Sequence, residues 1–576
     1  MGDEILKKHM MSFPLESLKD FLGRDLIDSL LEWQTGSETL LTKTKISEMI
    51  LCIYGVNILK QKEFRKQLLK SFAPENILAF RVFLPDKYKN SKDLEVIVRK
   101  ISDTSWKKSK INGELLRLLA YSEAEVFPNM DTQVVSSERV ESYDKFYELL
   151  DYQYIIRQKA LNILSSPYKL RRFLIHMPTG TGKTKTAVHI ICHHYNYNLK
   201  KKGLILWVAH TTELLQQAYD TFTSVWKNIG NGEISVYKFW GNYESDNMEE
   251  ERSGFMVCSI QKLQALIKRK EKVFQQLVCN TRLLVYDEAH KAAATETKHV
   301  IEQFMIRKQG MEDCSLMGLS ATPGRTTNLS FDNNLLVSMF GNKIISIDTK
   351  LMNAVNMSAQ EAANAEVEPD IIKYFQKRGV LAKIKKEELV YSEAISKEEL
   401  KNIKVIATSN GYDDFSPEVL EMIGKNKSRN LKILQRLREL HQKNIPTIVF
   451  TCSVKHGRLL SSMLTLENIP NALVIGDMLP KDRQIAINNF KDKSNPMNIL
   501  INYEVLTTGF DATNIECVFI ARPTQSVVLY SQMLGRGLRG PQMGGNEECL
   551  LIDVKDNLLQ FNENMAFSHF NNYWNS

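Results

Sequence analysis

The sequence predicts an α/β protein in which two parallel-sheet domains follow a mainly helical amino-terminal domain. Short runs rich in Leu, Ile, Val and Phe alternate with amphipathic helical patterns from about residue 150, and a second such series begins after residue 440. Continuous apolar strands separated by helices are typical of buried parallel sheets. A chain of 576 residues also has room for three or more domains, since a domain usually takes about 100–200 residues.

Residues 1–130 are predicted to form a helical accessory domain. Apolar residues recur every three or four positions in SLKDFLGRDLIDSLLEW and SEMILCIYGVNILKQKEFRKQLL, which is the period of an amphipathic helix. Residues 51–110 hold 14 basic and 6 acidic side chains, whereas 1–50 and 111–150 are acidic. Short basic runs are common on solvated helices, so this stretch is interpreted as a helical surface and not as a dedicated nucleic-acid site.

The first sheet domain is predicted over 131–350 and the second over 431–576. Pro128 precedes a polar stretch, NMDTQVVSSER, that is interpreted as a linker. The charge-dense residues 351–430 are interpreted as an inter-domain connection with helices of its own and no third sheet. The predicted strands are RRFLIHM, GLILWVAH, GFMVCSI, RLLVYDE and SLMGLSA in the first domain, and TIVFTC, NALVIGD, MNILINY, ECVFIAR and CLLIDV in the second.

Composition excludes several classes of protein. With 43% hydrophobic and 25% charged residues the chain resembles average globular domains, which excludes a disordered or fibrous protein. Neither a transmembrane helix nor a signal peptide is expected, because no apolar run reaches 18 residues and the first thirty residues carry acids throughout. Eight cysteines without a C-x-x-C pair argue against disulfides and structural zinc, and favour the reducing cytoplasm. The net charge of +8 permits a polyanionic partner.

A phosphate-binding loop is predicted where the strand RRFLIHM runs into PTGTGKT and then into a helix. Backbone N–H groups in such a turn, together with the N-terminus of the helix, attract phosphate oxygens. Gly180, Thr181 and Gly182 form the turn, in which the glycines allow the backbone to approach closely. Lys183 would reach the β- and γ-phosphates of a nucleotide, and the Thr184 hydroxyl would hold Mg²⁺.

A pair of carboxylates follows the apolar strand RLLVY about a hundred residues later, at the start of the sequence Asp287-Glu288-Ala289-His290. A carboxylate at the tip of a strand beside the phosphate-binding loop can hold Mg²⁺, so Asp287 is the second predicted metal ligand. Glu288 is placed to orient and deprotonate an attacking water. These two motifs therefore predict Mg²⁺ and a nucleotide with β- and γ-phosphates as the cofactors.

Further motifs accompany PTGTGKT in a defined order. They are VAHTTELLQQ (208–217), VCSIQKL (257–263), DEAH (287–290), LSATPGR (319–325), TIVFTCSVKHG (447–457), LTTGFDATNIECVFIARPT (506–524) and QMLGRGLRG (532–540). This set resembles superfamily-2 helicases and translocases of the DEAD/DEAH-box type, in particular the branch with the helicase subunits of type III restriction enzymes and related prokaryotic defence proteins. The resemblance implies two RecA-like domains with ATP bound in the cleft between them.

The resemblance also implies roles for residues of the second sheet domain. Arg536 and Arg539 would stabilise the negative charge that develops on the γ-phosphate, and Gln532 would face the same phosphates. Gly509 and Asp511 would lie near the nucleotide.

Coupling and base recognition are assigned by the same resemblance. His290, Ser320 and Thr322 would link the ATP site to the inter-domain contact. An adenine-reading glutamine is expected upstream of the phosphate-binding loop, where Gln153 is preferred and Gln158 in the same helix remains open.

Nucleic acid is expected to lie across the tops of both sheet domains. The resemblance implies contacts with the sugar-phosphate backbone from Thr211, Thr212, Ser259, Thr451 and Thr508. Contacts of this kind position a strand without reading its sequence. Taken singly, each of these residues is also explained as a helix cap or a strand end.

The resemblance implies an ATP-dependent helicase or translocase in a prokaryotic anti-phage defence or restriction system, with DNA preferred over RNA as the track. A double-strand translocase that serves a separate nuclease remains open, as do an ATP-gated nucleic-acid-binding switch and an RNA helicase. The helical domain is expected to recruit a protein partner such as a nuclease, or to gate the motor.

Overall fold

The computed structural model describes residues 2–33, 41–127, 136–143, 148–167, 171–243, 253–306, 314–324, 330–347, 370–391, 405–407, 413–507, 513–524 and 526–556. Within these ranges the chain forms a helical amino-terminal domain followed by two α/β domains, which confirms the predicted fold class. None of the helices described is long and apolar enough to cross a membrane.

The amino-terminal domain is helical because apolar side chains line one face of each of its longer helices. Phe13, which lies between the first two helices, and the helical residues Phe21 and Phe64 meet edge to face in the core, with ring centroids 5.1–6.3 Å apart. Its described helices are α1 (Gly2–Met10), α2 (Leu15–Leu22), α3 (Arg24–Trp33), α4 (Lys43–Tyr54), α5 (Lys62–Lys70), α6 (Pro74–Ala79), α7 (Asp86–Lys89), α8 (Leu94–Asp103), α9 (Lys110–Leu118) and α10 (Glu123–Val126), with 3₁₀ turns at Gly55–Lys60 and Phe80–Phe83.

The first α/β domain contains one sheet with helices on both faces. Its strands are β1 (Ser137–Val140), β2 (Arg172–His176), β3 (Leu204–Ala209), β4 (Ile234–Phe239), β5 (Gly254–Ser259), β6 (Thr281–Asp287), β7 (Ser315–Ser320) and β8 (Ile344–Ser346). Its helices are α11 (Asp151–Leu164), α12 (Lys183–His193), α13 (Thr212–Ile229), α14 (Ile260–Arg269), α15 (Glu271–Asn280), α16 (Thr295–Met305) and α17 (Ser330–Met339). The strand order is β1-β4-β5-β3-β6-β7-β2-β8, and the described pairs are parallel apart from β1 with β4. The central strands β3, β5 and β7 are buried throughout, as expected for a sheet covered on both faces.

The second α/β domain contains a fully parallel sheet in the order β13-β14-β12-β15-β16-β9. The strands from the connection onward are β9 (Lys383–Leu389), β10 (Val405–Ala407), β11 (Asp413–Phe415), β12 (Thr447–Thr451), β13 (Asn471–Val474), β14 (Ile499–Asn502), β15 (Cys517–Ala521) and β16 (Glu548–Val554). The helices are α18 (Ile371–Lys377), α19 (Pro417–Gly424), α20 (Lys427–Gln442), α21 (Val454–Leu466), α22 (Pro480–Lys491) and α23 (Val527–Leu534).

All ten predicted strands are present, but the structure corrects two predictions about the connections. The end of the predicted linker is a strand, β1, that pairs with the unpredicted strand β4. The connection 351–430 contributes β9 to the edge of the second sheet, and β10 pairs with β11 in a separate two-stranded sheet. The sequence KIKKEEL of β9 does not show the apolar pattern of a buried strand, because β9 lies at an exposed edge, where continuous apolar runs are not required.

The helical domain packs against the second α/β domain, although more than 300 residues separate them in sequence. Apolar side chains of α4 share one hydrophobic core with those of α21. Polar contacts close the same interface, since Lys45 Nζ donates to the carbonyl of Thr465 at 2.8 Å and Asn57 Nδ2 donates to that of Asp477 at 3.1 Å.

Candidate nucleotide-binding cleft

The phosphate-binding loop lies between β2 and α12, at the carboxyl edge of the first sheet. Gly180 and Gly182 have φ angles of +88° and +79°, a backbone region that favours glycine. A Cβ atom on Gly182 would collide with the side-chain amide of Gln153. The loop therefore needs glycine at this position for both its conformation and its packing.

Two side chains of α11 support the loop from outside. The hydroxyl of Tyr152 and Nε2 of Gln153 both donate to the carbonyl of Thr181, at 2.9 and 3.0 Å. Gln153 is buried, and its Oε1 accepts from the N–H of Leu150 at 3.0 Å. Of the two candidate glutamines, Gln153 is therefore placed against the loop, while its reading of adenine stays a prediction. The contact of Tyr152 with the loop depends on the packing of α11, and no sequence motif indicates it.

Asp287 is the last residue of β6 and Glu288 follows it, and β6 lies beside β7 and close to β2 in the sheet. Asp287 is buried and accepts from the N–H of Glu288 at 3.0 Å. The carboxylate of Glu288 lies 3.8 Å from Lys183 Nζ and 3.3 Å from His290 Nδ1. The order of the strands in the sheet thus places the lysine of the loop next to the Asp–Glu pair.

The two carboxylates have opposite electrostatic surroundings. Burial raises the pKa of Asp287 to about 6, although Lys183 opposes the shift. Burial acts to raise the pKa of Glu288 as well, but Lys183 and the other cations of the cleft outweigh it and hold that pKa below its usual value. Glu288 is therefore ionised at neutral pH, which a proton acceptor requires.

The predicted Mg²⁺ ligands suit a hard divalent cation. The Asp287 carboxylate and the Thr184 hydroxyl line the same cavity, and both present oxygen, the donor that Mg²⁺ prefers. A buried carboxylate with a raised pKa lacks full compensation by positive charge, and a bound cation would supply it.

The second α/β domain contributes the opposite wall of the cleft. Arg536 Nη2 donates to the carbonyl of Thr507 at 2.8 Å, and burial lowers the pKa of Arg536 to about 10 against the attraction of Glu288. Arg539 packs on the phosphate-binding loop, because a Cβ on Gly180 would lie 3.6 Å from its Cγ. A Cβ on Gly535 would lie 2.5 Å from Cγ2 of Thr179, so the two domains touch at this point.

Both walls enclose one cavity of about 470 Å³, which lies within the usual size range of small-molecule sites. Its polar lining includes the predicted ATP-site residues Gly180, Gly182, Lys183, Thr184, Asp287, Glu288, Gln532, Arg536 and Arg539. A larger cavity of about 780 Å³ lies between the helical domain and the second α/β domain, away from these residues. Gly509 and Asp511 lie outside the described residues.

The predicted coupling residues form a buried hydrogen-bonded group. His290 Nδ1 lies 3.4 Å from Ser320 Oγ. The Ser320 hydroxyl donates to the carbonyl of Thr322 at 2.7 Å and accepts from its N–H at 3.1 Å. Burial lowers the pKa of His290 to about 3, so its ring is neutral. This group joins the turn after β6 to the turn after β7.

The predicted nucleic-acid contacts occupy different environments. Thr211 and Ser259 cap α13 and α14, accepting from the N–H groups of Leu214 at 3.4 Å and Lys262 at 3.2 Å. Thr212 is exposed, and Thr508 lies outside the described residues. Their contacts with nucleic acid stay predictions.

Thr451 differs from the expected surface position. It is 1% exposed, and its hydroxyl donates to the carbonyl of Asn502 at 3.1 Å. The pairing of β12 with β14 brings that carbonyl to the end of β12, so the hydroxyl is satisfied inside the domain. Thr451 is therefore not at the surface in this structure.

Comparisons with known proteins agree with the two-domain cleft. Residues 146–325 match the family described as "Type III restriction enzyme, res subunit", and 429–540 match "Helicase conserved C-terminal domain". The Saccharomyces cerevisiae protein named "Putative ATP-dependent helicase IRC3" is 26% identical over 414 residues, covering 70% of this chain and 51% of its own length. A subunit of the Escherichia coli type I restriction enzyme EcoAI endonuclease is 22% identical, covering 67% of this chain and 43% of its own.

The chain thus spans about half the length of the curated relatives it matches. Among solved structures, Saccharomyces cerevisiae Dbp5 bound to RNA and ADP BeF3 covers 76% of this chain and 94% of its own, with 15% identity and a TM-score of 0.46. The family matches fall on the two domains that form the cleft. The chain therefore belongs to the superfamily-2 helicases, a family of ATP-hydrolysing enzymes, and among them it resembles the helicase subunits of restriction enzymes.

Proposed function

We propose that this protein hydrolyses ATP between its two RecA-like domains and uses the cycle to move along nucleic acid. The observation that carries the proposal is the shared cavity, in which Lys183 and Glu288 of the first domain face Arg536 and Arg539 of the second. Because neither domain holds the complete set, closure of the cleft assembles the site and opening dismantles it. Hydrolysis is thereby linked to motion between the domains.

The residues of the chain divide the chemistry among them. Lys183 and the N–H groups of the phosphate-binding loop bind the β- and γ-phosphates, and Glu288 accepts a proton from the attacking water. Arg536, Arg539 and Gln532 stabilise the charge that spreads over the γ-phosphate oxygens. Thr184 and Asp287 would hold Mg²⁺, which neutralises phosphate charge when it is bound.

DNA is the proposed track, and a restriction or anti-phage defence system is the proposed setting. The support is sequence similarity, because one matched family and one matched relative are named as restriction enzyme subunits. A reducing cytoplasm is the proposed compartment, which suits the eight free cysteines. The helical domain is proposed to recruit a protein partner such as a nuclease or to gate the motor, and its shared core with the second α/β domain makes it move with that domain.

The decisive experiment is the steady-state ATPase rate of the full chain with no nucleic acid, and with single-stranded DNA, double-stranded DNA, single-stranded RNA and double-stranded RNA of matched length. The Glu288→Gln variant serves as the blank. Stimulation by DNA supports the proposal. Stimulation by RNA alone would identify RNA, and not DNA, as the track. A rate above the blank that no polymer changes would contradict the motor and favour an ATP-gated switch. Stimulation without displacement of a labelled strand would identify a translocase that does not separate strands.

A further inference from the structure

Two side chains at the carboxyl edge of the first sheet, those of His210 and Tyr286, are joined by a hydrogen bond. The Tyr286 hydroxyl and Nε2 of His210 lie 2.6 Å apart, and the two rings meet edge to face with centroids 5.9 Å apart. Tyr286 is fully buried and His210 half-buried. A hydrogen bond in such surroundings is weakly screened by water. A displacement of one partner therefore changes the force on the other.

The position of His210 links the predicted nucleic-acid face to the sheet. His210 directly precedes the turn formed by Thr211 and Thr212, which carry predicted backbone contacts. Its carbonyl accepts from Nε2 of Gln261 at 3.2 Å, two residues after the predicted contact Ser259. A strand that binds at these turns would therefore act on His210 from two motifs.

The position of Tyr286 links the same hydrogen bond to the predicted catalytic pair Asp287 and Glu288. Tyr286 directly precedes Asp287, and β6 lies next to β3 with Tyr286 paired to Val208. The hydrogen bond thus connects Tyr286, at the last shared register position of the two strands, with His210, which lies two residues beyond Val208. Thr297 of α16 is a second hydrogen-bonding neighbour of Tyr286.

We propose that the hydrogen bond between His210 and Tyr286 sets the position of the Asp287–Glu288 pair according to whether a nucleic-acid strand occupies the Thr211–Thr212 turn. The inference rests on the proposed function. It names the two residues through which a bound nucleic-acid strand would affect the ATP site. His210 and Tyr286 are positioning residues, because other described residues line the nucleotide cavity. Their loss should affect the stimulation of hydrolysis more than hydrolysis itself.

A double-mutant cycle on the full-length protein tests the inference. Tyr286→Phe removes the hydroxyl and keeps the ring, and His210→Phe removes the nitrogens and keeps the edge-to-face contact. We expect each variant to lower the stimulation of the ATPase rate by the active polymer about threefold to tenfold, the range for one hydrogen bond. The double variant should lose no more than either single variant, because both remove the same interaction. His210→Gln, whose amide can reach the tyrosine hydroxyl, should recover most of the stimulation.

Tyr237→Phe is the matched control. Tyr237 is a buried tyrosine of the same sheet whose hydroxyl donates to the carbonyl of Ser253 at 3.3 Å, and it should leave the stimulation unchanged. Additive losses in the double variant, or normal stimulation in both single variants, would overturn the inference while leaving the proposed function intact. A wild-type protein that no polymer stimulates would overturn the proposed function and the inference with it.

Discussion

Glu288 has a φ angle of +53°, a left-handed conformation that residues other than glycine rarely adopt. Strain of this kind costs about 1–3 kcal/mol and persists only where the surroundings hold it. Here the backbone N–H is held by Asp287 and the carboxylate by the charges of Lys183 and the cleft. The turn thus keeps a carboxylate facing the phosphate site at some cost in stability.

Replacing Glu288 with glutamine should separate binding from hydrolysis. The amide keeps the shape of the side chain but cannot accept a proton from water, so the turnover number should fall by about 10²–10⁴-fold. The affinity for ATP, measured by titration with a fluorescent analogue, should stay within about threefold, because the groups that bind phosphate are unchanged. Normal turnover in this variant would remove Glu288 from its assigned role.

Loss of the Arg539 side chain should lower turnover by about 10³-fold with little change in ATP affinity, since its charge is needed mainly as the phosphoryl group is transferred. Arg438→Ala is the control, because Arg438 is an exposed arginine of the same domain that pairs with Glu467 at the surface. Steady-state kinetics on both variants would test the assignment, and equal effects in the two would contradict it.

Placement of the cleft residues follows from local motifs, which is why the lysine, the carboxylates and the arginines could be predicted. Each of these residues lies at a strand end or in a turn. The fold then brings these strand ends and turns together at the cleft. Thr451 and Tyr152 depend on tertiary neighbours instead, namely the carbonyls of Asn502 and Thr181. A single sequence carries no signal of such long-range partners.

At the scale of elements, the phosphate-binding loop and α11 act as one unit. Gly182→Ala should abolish ATP binding, because the added Cβ meets the Gln153 amide that holds the loop. Gly241→Ala is the matched control: it has a positive φ of +54° in the same domain but open space around the added atom. Both variants should lose about 1–2 kcal/mol of stability from the backbone strain, and only the first should lose ATP binding in the titration.

The helical domain cannot be removed cleanly, because its apolar core continues into the second α/β domain. Deleting residues 1–130 would uncover buried side chains of α21, among them Leu460 and Leu464. We expect the truncated protein to melt at a lower temperature and to bind a hydrophobic dye, as measured by calorimetry and fluorescence. Unchanged melting and no dye binding would show that the two domains are independent.

Which elements could be predicted depended on burial. The ten strands with continuous apolar runs are predicted from the sequence, whereas β4, which has side chains in the cores on both faces of the first sheet but also carries Ser235 and Lys238, is not. The edge strand β9 carries Lys385 and Glu387, which pair with Glu548 and Arg436 of neighbouring elements. These charges find their partners only after the sheet has formed. The sequence alone therefore does not indicate that this segment is a strand.

At the scale of the whole molecule, ion pairs join the two α/β units across the cleft. Arg378, which follows α18, pairs with Asp151 of the first domain at 2.9 Å, and Tyr152 packs edge to face on Phe375. Arg483 of α22 pairs with Glu213 of α13, and both side chains are mostly buried. These contacts favour the closed arrangement in which the cavity is complete.

Charge reversal tests the contribution of the second pair. Glu213→Arg should place two cations together and lower kcat/KM for ATP, and Arg483→Glu should do the same with two anions. The double reversal restores opposite charges and should recover part of the loss. Recovery would be read from ATPase kinetics, and a double variant as impaired as the sum of the single ones would show that the pair does not hold the cleft closed.

The shared core of the helical domain also has a consequence for the order in which the protein is made. Residues of α4 leave the ribosome about 400 residues before those of α21, the helix against which they pack. At about 5–20 residues per second this interval lasts roughly 20–80 seconds, during which an apolar surface has no partner. The nascent amino-terminal domain should therefore depend on chaperones until synthesis of the second α/β domain is almost complete.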